Sequence, residues 1–170
     1  MKKFLFMVAV LIATTLVLAS CGKDDEPKVK TTATTTYHMT FSQDLLDAAS
    51  VIIYYKAENG RVTFDAITST WWSKTVTSDK FPAEFGVMYN FGTKSESELS
   101  KEKYDLKCDL SFSCTTNKGA AYSNKITIFD EKEVAKKKVA STLDKYNGKQ
   151  NGFKITENGV PSEANNLNYN

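Results

Sequence analysis

From Tyr104 to Cys114 apolar and polar positions alternate without a break. Tyr104, Leu106, Cys108, Leu110, Phe112 and Cys114 fall on one side, and Asp105, Lys107, Asp109, Ser111 and Ser113 on the other. A period of two is the signature of a β-strand with one face buried. Buried on one side and wet on the other, such a strand belongs to an antiparallel sheet. The same pattern predicts a first strand over Tyr37–Phe41, with Tyr37, Met39 and Phe41 inward. It predicts another over Glu84–Phe91, with Phe85, Val87, Tyr89 and Phe91 inward, and a return strand over Tyr122–Phe129 carrying Ile126 and Ile128 inward. Phe153–Thr156 reads as a last strand.

Val51 to Thr68 reads as a hairpin. Asn59-Gly60 lies between two β-rich runs, and a type I′ turn needs positive φ at both central residues, which Asn and Gly tolerate. A two-residue loop would set Glu58 opposite Arg61, Tyr55 opposite Phe64 and Ile53 opposite Ala66, placing Val62, Phe64 and Ala66 on the buried face. Ser69 to Thr77 is expected to add a third strand to this sheet, with Trp71 and Trp72 on opposite faces because they are adjacent. Ser42 is placed to cap a short helical turn over Gln43–Ala49. Asp130 is expected to cap a helix reaching about Asn147, with Ala135, Val139, Leu143 and Tyr146 as its apolar stripe and Lys136, Lys137 and Lys138 beside it.

Many short strands separated by turns predict a mainly β chain. The expected architecture is an antiparallel two-sheet β-sandwich with one appended α-helix in the C-terminal half. That layout resembles immunoglobulin-like and transthyretin-like domains, without the Cys…Trp…Cys arrangement of antibody domains.

The N-terminus gives an address. Met1-Lys2-Lys3 precedes fifteen residues, Phe4 to Leu18, that are apolar or threonine. That run is shorter than the ~18 to 20 residues a spanning helix needs, and with its charged start it reads as a secretory signal. It ends in Leu18-Ala19-Ser20-Cys21, which resembles the bacterial lipobox. The resemblance implies cleavage before Cys21 and diacylation of its thiol, a two-chain anchor that holds a protein stably on a membrane. Lys23-Asp24-Asp25-Glu26 follows and resembles the Lys-acidic-acidic export signal of Bacteroidota surface lipoproteins. The implied location is the outer membrane, lipid-anchored and facing the medium, with the periplasmic face as the alternative. The expected organisation is signal peptide 1–20, lipidated flexible tether 21–36, one sandwich domain 37–160 and a frayed tail 161–170.

Removing the signal changes the charge. Of 22 basic residues Lys2 and Lys3 leave, so 20 remain against 20 acidic. A near-neutral chain does not suit nucleic acid, which selects for a basic face. Besides Cys21 there are two cysteines, Cys108 and Cys114, on one face of one strand. Six residues at ~3.3 Å each put their Cα atoms roughly 20 Å apart, beyond the ~7 Å reach of a disulfide. Both are expected to be buried free thiols.

Little in the sequence points to catalysis. His38, the sole histidine, falls on the polar face of the first strand without a partner at fixed spacing, and it reads as a surface residue. No metal site, cofactor or phosphate loop is expected. The remaining candidates for ligand contact are aromatic: Tyr54 on the outer face of the hairpin, and whichever of Trp71 or Trp72 points outward. The reading is a non-catalytic binding or adhesion module for a protein, glycan or other cell-surface component. The alternative is a structural or accessory subunit of an outer-membrane assembly.

Overall fold

The computed structural model describes residues 29–164 and 166–169. The expected signal peptide, Cys21 and the Lys23, Asp24, Asp25, Glu26 run lie outside the described residues. No helix within them is long and apolar enough to cross a membrane.

Two antiparallel sheets face each other. The first contains β1 (Ala33–Phe41), β4 (Trp71–Ser78), β6 (Lys103–Thr116) and β7 (Ala121–Ala135), in the order β4-β1-β6-β7. The second contains β2 (Ala49–Lys56), β3 (Val62–Ile67), β5 (Ala83–Thr93), β8 (Gln150–Ile155) and β9 (Pro161–Glu163), in the order β3-β2-β5-β8-β9. Helices α1 (Gln43–Ala48) and α2 (Val139–Leu143) are short. The mainly β, two-sheet antiparallel architecture is therefore the one the alternation predicts.

The core lies between the sheets. Tyr37, Met39, Leu106, Leu110 and Phe112 from the first meet Ile53, Phe85, Val87, Tyr89 and Phe153 from the second, all buried. Aromatic edges lock the layers: Phe112 meets Phe153 at 5.4 Å and Phe91 meets Phe129 at 5.5 Å, both edge to face. Each buried large side chain contributes about 1.5 to 3 kcal/mol relative to exposure. Every inward residue expected from Tyr104 to Cys114 is buried, and Cys108 and Cys114 are both free thiols. Ser42 caps α1 as expected, its hydroxyl accepting the Leu45 amide at 3.2 Å.

A buried phenol also ties the sheets to each other. The Tyr37 hydroxyl crosses the core, donates to the Lys56 carbonyl at 2.6 Å and accepts the Gly86 amide at 3.2 Å. The β2–β5 ladder is regular up to the pair Tyr55 and Val87, so the phenol stands where the next rung would lie. Burial pushes the Tyr37 hydroxyl above its ordinary range and keeps the donor proton in place.

Five expectations are corrected. The Asn59-Gly60 turn forms, with φ of 55° and 78° and Arg61 N–H bonded to the Glu58 carbonyl at 3.2 Å. Directly beyond it, however, the Ala57 N–H bonds to the Arg61 carbonyl, so Ala57 and Glu58 together oppose Arg61. That bulge slips the register by one: Tyr54, not Tyr55, opposes Phe64. A one-residue slip turns every side chain over. Phe64 is accordingly 61 % exposed, and Asp65 points inward.

The strand containing Trp71 and Trp72 does not extend the hairpin sheet; β4 pairs with β1 in the other sheet. Of the threonine run expected to be tether, residues 33–36 form the first part of β1, with Thr35 fully buried. The helix expected from Asp130 is shorter. Residues up to Ala135 continue β7, pairing Val134 with Tyr104, and α2 starts only at Val139. Of the predicted stripe, Val139 and Leu143 are buried, and Tyr146, beyond the helix, packs on Phe129 at 4.6 Å.

The segment expected to fray is docked. Pro161–Glu163 pairs with β8, and Leu167, 3 % exposed, lies on the outer face of the second sheet over Gly86 and Gly152. A Cβ on either glycine would come within 2.4 and 2.6 Å of the Leu167 methyl. Side-chain-free backbone is what makes room for the tail. Lys56 is buried beneath it, its ammonium bonded to the Asn168 carbonyl and 5.2 Å from the centre of the Tyr169 ring.

Candidate functional site on the outer face of the first sheet

Adjacent residues on β4 take opposite fates. Trp72, 8 % exposed, enters the core beside Tyr37 and Tyr55 and donates its indole N–H to Asp65 at 2.8 Å. Trp71, 58 % exposed, stands on the outer face of the first sheet. Its backbone is held by Ser69, whose hydroxyl accepts the Trp71 amide at 3.2 Å and donates to its carbonyl at 2.6 Å.

The β1–β4 register places His38 beside this indole, with ring centres 5.6 Å apart and planes tilted by 57°. Across β1 and β6 the row continues from Trp71 through Thr40 to Asp109 and then Thr127. Asp109 accepts the Thr127 hydroxyl at 2.7 Å and lies 3.4 Å from the Lys107 ammonium. Most of the rest of the face consists of short hydroxyl side chains, with Lys125 opposite Ser111. Thr34 bonds Thr77 at 3.0 Å, and Thr36 bonds Thr75 at 2.8 Å.

This surface has one large apolar ring, an imidazole next to it, and donors and acceptors at strand spacing. An exposed indole stacks on the C–H face of a planar or ring-shaped ligand, while hydroxyls and an imidazole bond its rim. Helix α2 leaves it open, because it packs against β5 and β7 with its apolar residues in the core.

The structure does not bring the sequence-derived aromatics together. Tyr54 lies on the outer face of the second sheet, the far side of the sandwich from Trp71. There it pairs with Phe64, ring centres 5.7 Å apart, next to Met88 across the ladder. Trp72 belongs to the core. The sequence places His38 on the outer face but not its neighbour Trp71, which is known only once β1 is paired with β4, and it misplaces Phe64, hidden by the bulge. Among the described residues, no group of three His, Cys, Asp or Glu side chains is placed to hold a metal ion. Comparison with family models, curated proteins and solved structures gives no match.

Proposed function

We propose that this chain is a non-catalytic, lipid-anchored binding module that displays Trp71 to a surface glycan. The observation that carries the reading is where Trp71 sits. The chain enters β1 at Ala33, paired with Ser78, whereas Trp71 pairs with Thr40 at the other end of the same strand. A protein held through Cys21 thus turns its exposed indole away from the membrane, beside His38 and the hydroxyl-rich face. A ring face with polar groups at its rim matches the amphipathic faces of a sugar.

The test has two parts. Cys21→Ala is expected to leave the membrane fraction on carbonate washing, and retention would end the lipid reading. Intact protein on a glycan array is expected to give hits that Trp71→Ala loses and Trp72→Phe keeps. Hits insensitive to Trp71 would remove the indole from the site.

A second reading, an accessory subunit of an outer-membrane assembly, draws on the exposed Phe64–Tyr54 pair. A photocrosslinker at Phe64 that traps one defined neighbour in cells, with no array hits, would favour it.

A further inference from the structure

We infer that the end of the sandwich away from Ala33 carries a second surface, a lysine cap that takes an anionic polysaccharide. Between β7 and β8 the chain places Lys136, Lys137 and Lys138 in a tight 3₁₀ turn, then Lys145 and Lys149 just beyond α2. Against these five cations the same stretch holds one acid, Asp144.

The nearest carboxylates along the chain are engaged elsewhere. Glu131 accepts the Tyr146 hydroxyl at 2.8 Å, Glu133 pairs with Lys103 at 3.2 Å, and Asp144 accepts the Asn147 amide at 3.3 Å. At the same end Lys101 and Lys107 hold carboxylates as well. Among the described residues none of these five lysines has a carboxylate within 4.0 Å; Lys149, whose carbonyl accepts the Tyr89 amide inside the second sheet, lies 5.1 Å from the centre of the Tyr146 ring. Lys136, Lys137 and Lys138 are consecutive, so their charges repel, and no carboxylate within 4.0 Å offsets that repulsion. An external anion would relieve it.

The occupant follows from position. Ala135 pairs with Lys103, and Ala33 pairs with Thr116 at the other end of the same strand. Thirteen steps of ~3.3 Å separate the ends by roughly 40 Å. This rests on Cys21 being the anchor, since the cap then faces away from the bilayer holding the chain. Lysines are mobile point charges suited to repeated sulfate, carboxylate or phosphate groups rather than to one shaped peptide. The neighbouring hydroxyl face suits sugar.

Full-length protein in neutral detergent, run on immobilised heparin, tests the inference. Retention is expected to fall with rising salt. The triple substitution Lys136→Ala, Lys137→Ala, Lys138→Ala is expected to weaken it about tenfold, or about 1.4 kcal/mol. A charge-matched control, Lys30→Ala, Lys80→Ala, Lys125→Ala, should change it less than about twofold, with circular dichroism unchanged in both. Equal losses from the two variants would reduce the effect to net charge and overturn the cap. Tighter binding to phosphatidylglycerol vesicles than to heparin would assign a lipid surface and overturn it too. Trp71→Ala is expected to leave heparin retention intact; its loss there would move the polyanion to the indole face.

Discussion

The indole N–H of Trp72 reaches from the first sheet to the carboxylate of Asp65 in the second, 2.8 Å away. Asp65 faces inward only because of the bulge at Ala57 and Glu58, and Lys74 from β4 closes on the same oxygen at 3.1 Å. The open edge between β3 and β4 is thereby clasped by one acid held from two sides. Asp65→Ala leaves the Trp72 donor without its partner and is expected to cost about 1 to 3 kcal/mol in urea denaturation. Lys74→Ala removes only a half-exposed cation and should stay within about 1 kcal/mol. Equal costs would mean the indole bond contributes nothing.

Tyr37→Phe tests the phenol between the sheets. Without the hydroxyl, the Lys56 carbonyl and the Gly86 amide both lose a buried partner, a loss of about 1 to 3 kcal/mol. Amide hydrogen exchange should accelerate most at Gly86. Uniform acceleration would show that the phenol stabilises only by filling space.

The cysteines test the strand register. Burial pushes both the Cys108 and the Cys114 thiol upward, so both are expected to resist maleimide in the native state and react after unfolding. Cys108→Ser places a hydroxyl in an apolar site and is expected to cost about 1 to 3 kcal/mol. Asp109→Ser loses a bond to Thr127 on the outer face and should cost about 1 kcal/mol or less. Rapid labelling without denaturant would contradict the burial of β6.

The docked tail makes a prediction about order among variants. Gly86→Ala meets the flexible Leu167 methyl at 2.4 Å and the Asn151 carbonyl at 2.9 Å, whereas Gly152→Ala meets the Phe85 carbonyl more closely, at 2.5 Å. Adding Leu167→Ala should rescue more of the first than of the second, read as urea midpoints. Leu167→Ala alone is expected to cost about 2 to 5 kcal/mol and to expose residues 161–169 to protease.

Acid should weaken the contacts around Asp44. Asp44 accepts the Lys101 ammonium at 2.5 Å and the Asp105 amide at 2.8 Å, and both hold its carboxyl below the usual range, the lysine bond most. A carboxyl lowered on folding adds stability above its unfolded value near 3.9, and that stability fades as pH falls through the lower folded value. Asp44→Asn is therefore expected to flatten the stability curve below about pH 4 while lowering the plateau above it. Parallel wild-type and variant curves would remove Asp44 from the acid response.

Where one residue faced the core at every second position, the fold was legible. From Tyr104 to Cys114 period and burial agree throughout, because a central strand of a sandwich has no freedom to turn. The hairpin was half legible. Asn59 and Gly60 announce their turn chemically, but nothing in Ala57 or Glu58 announces a bulge, and one extra residue was enough to bring Phe64 out. Residues 130–147 read as a helix because Ala135, Val139 and Leu143 do keep helical spacing, while the strand before them continues by pairing with Lys103 and Tyr104, a non-local term. The same limit hid the sheet to which Trp71 and Trp72 belong, and with it the contact to His38. The seat of Leu167 is made by Gly86 and Gly152 lying side by side across two strands, which no local pattern records.

The placement of β1 has a mechanical consequence. It runs between β4 and β6, bonded along its length on both sides, and the chain from the N-terminus leads straight into Ala33. If the protein is held at its N-terminus and its far end grips something moving, tension runs along the axis of β1. Inter-strand bonds lie across that axis, so the pull shears many rungs together instead of peeling them one by one. Such a strand resists detachment under flow far better than a terminal strand at a sheet edge would.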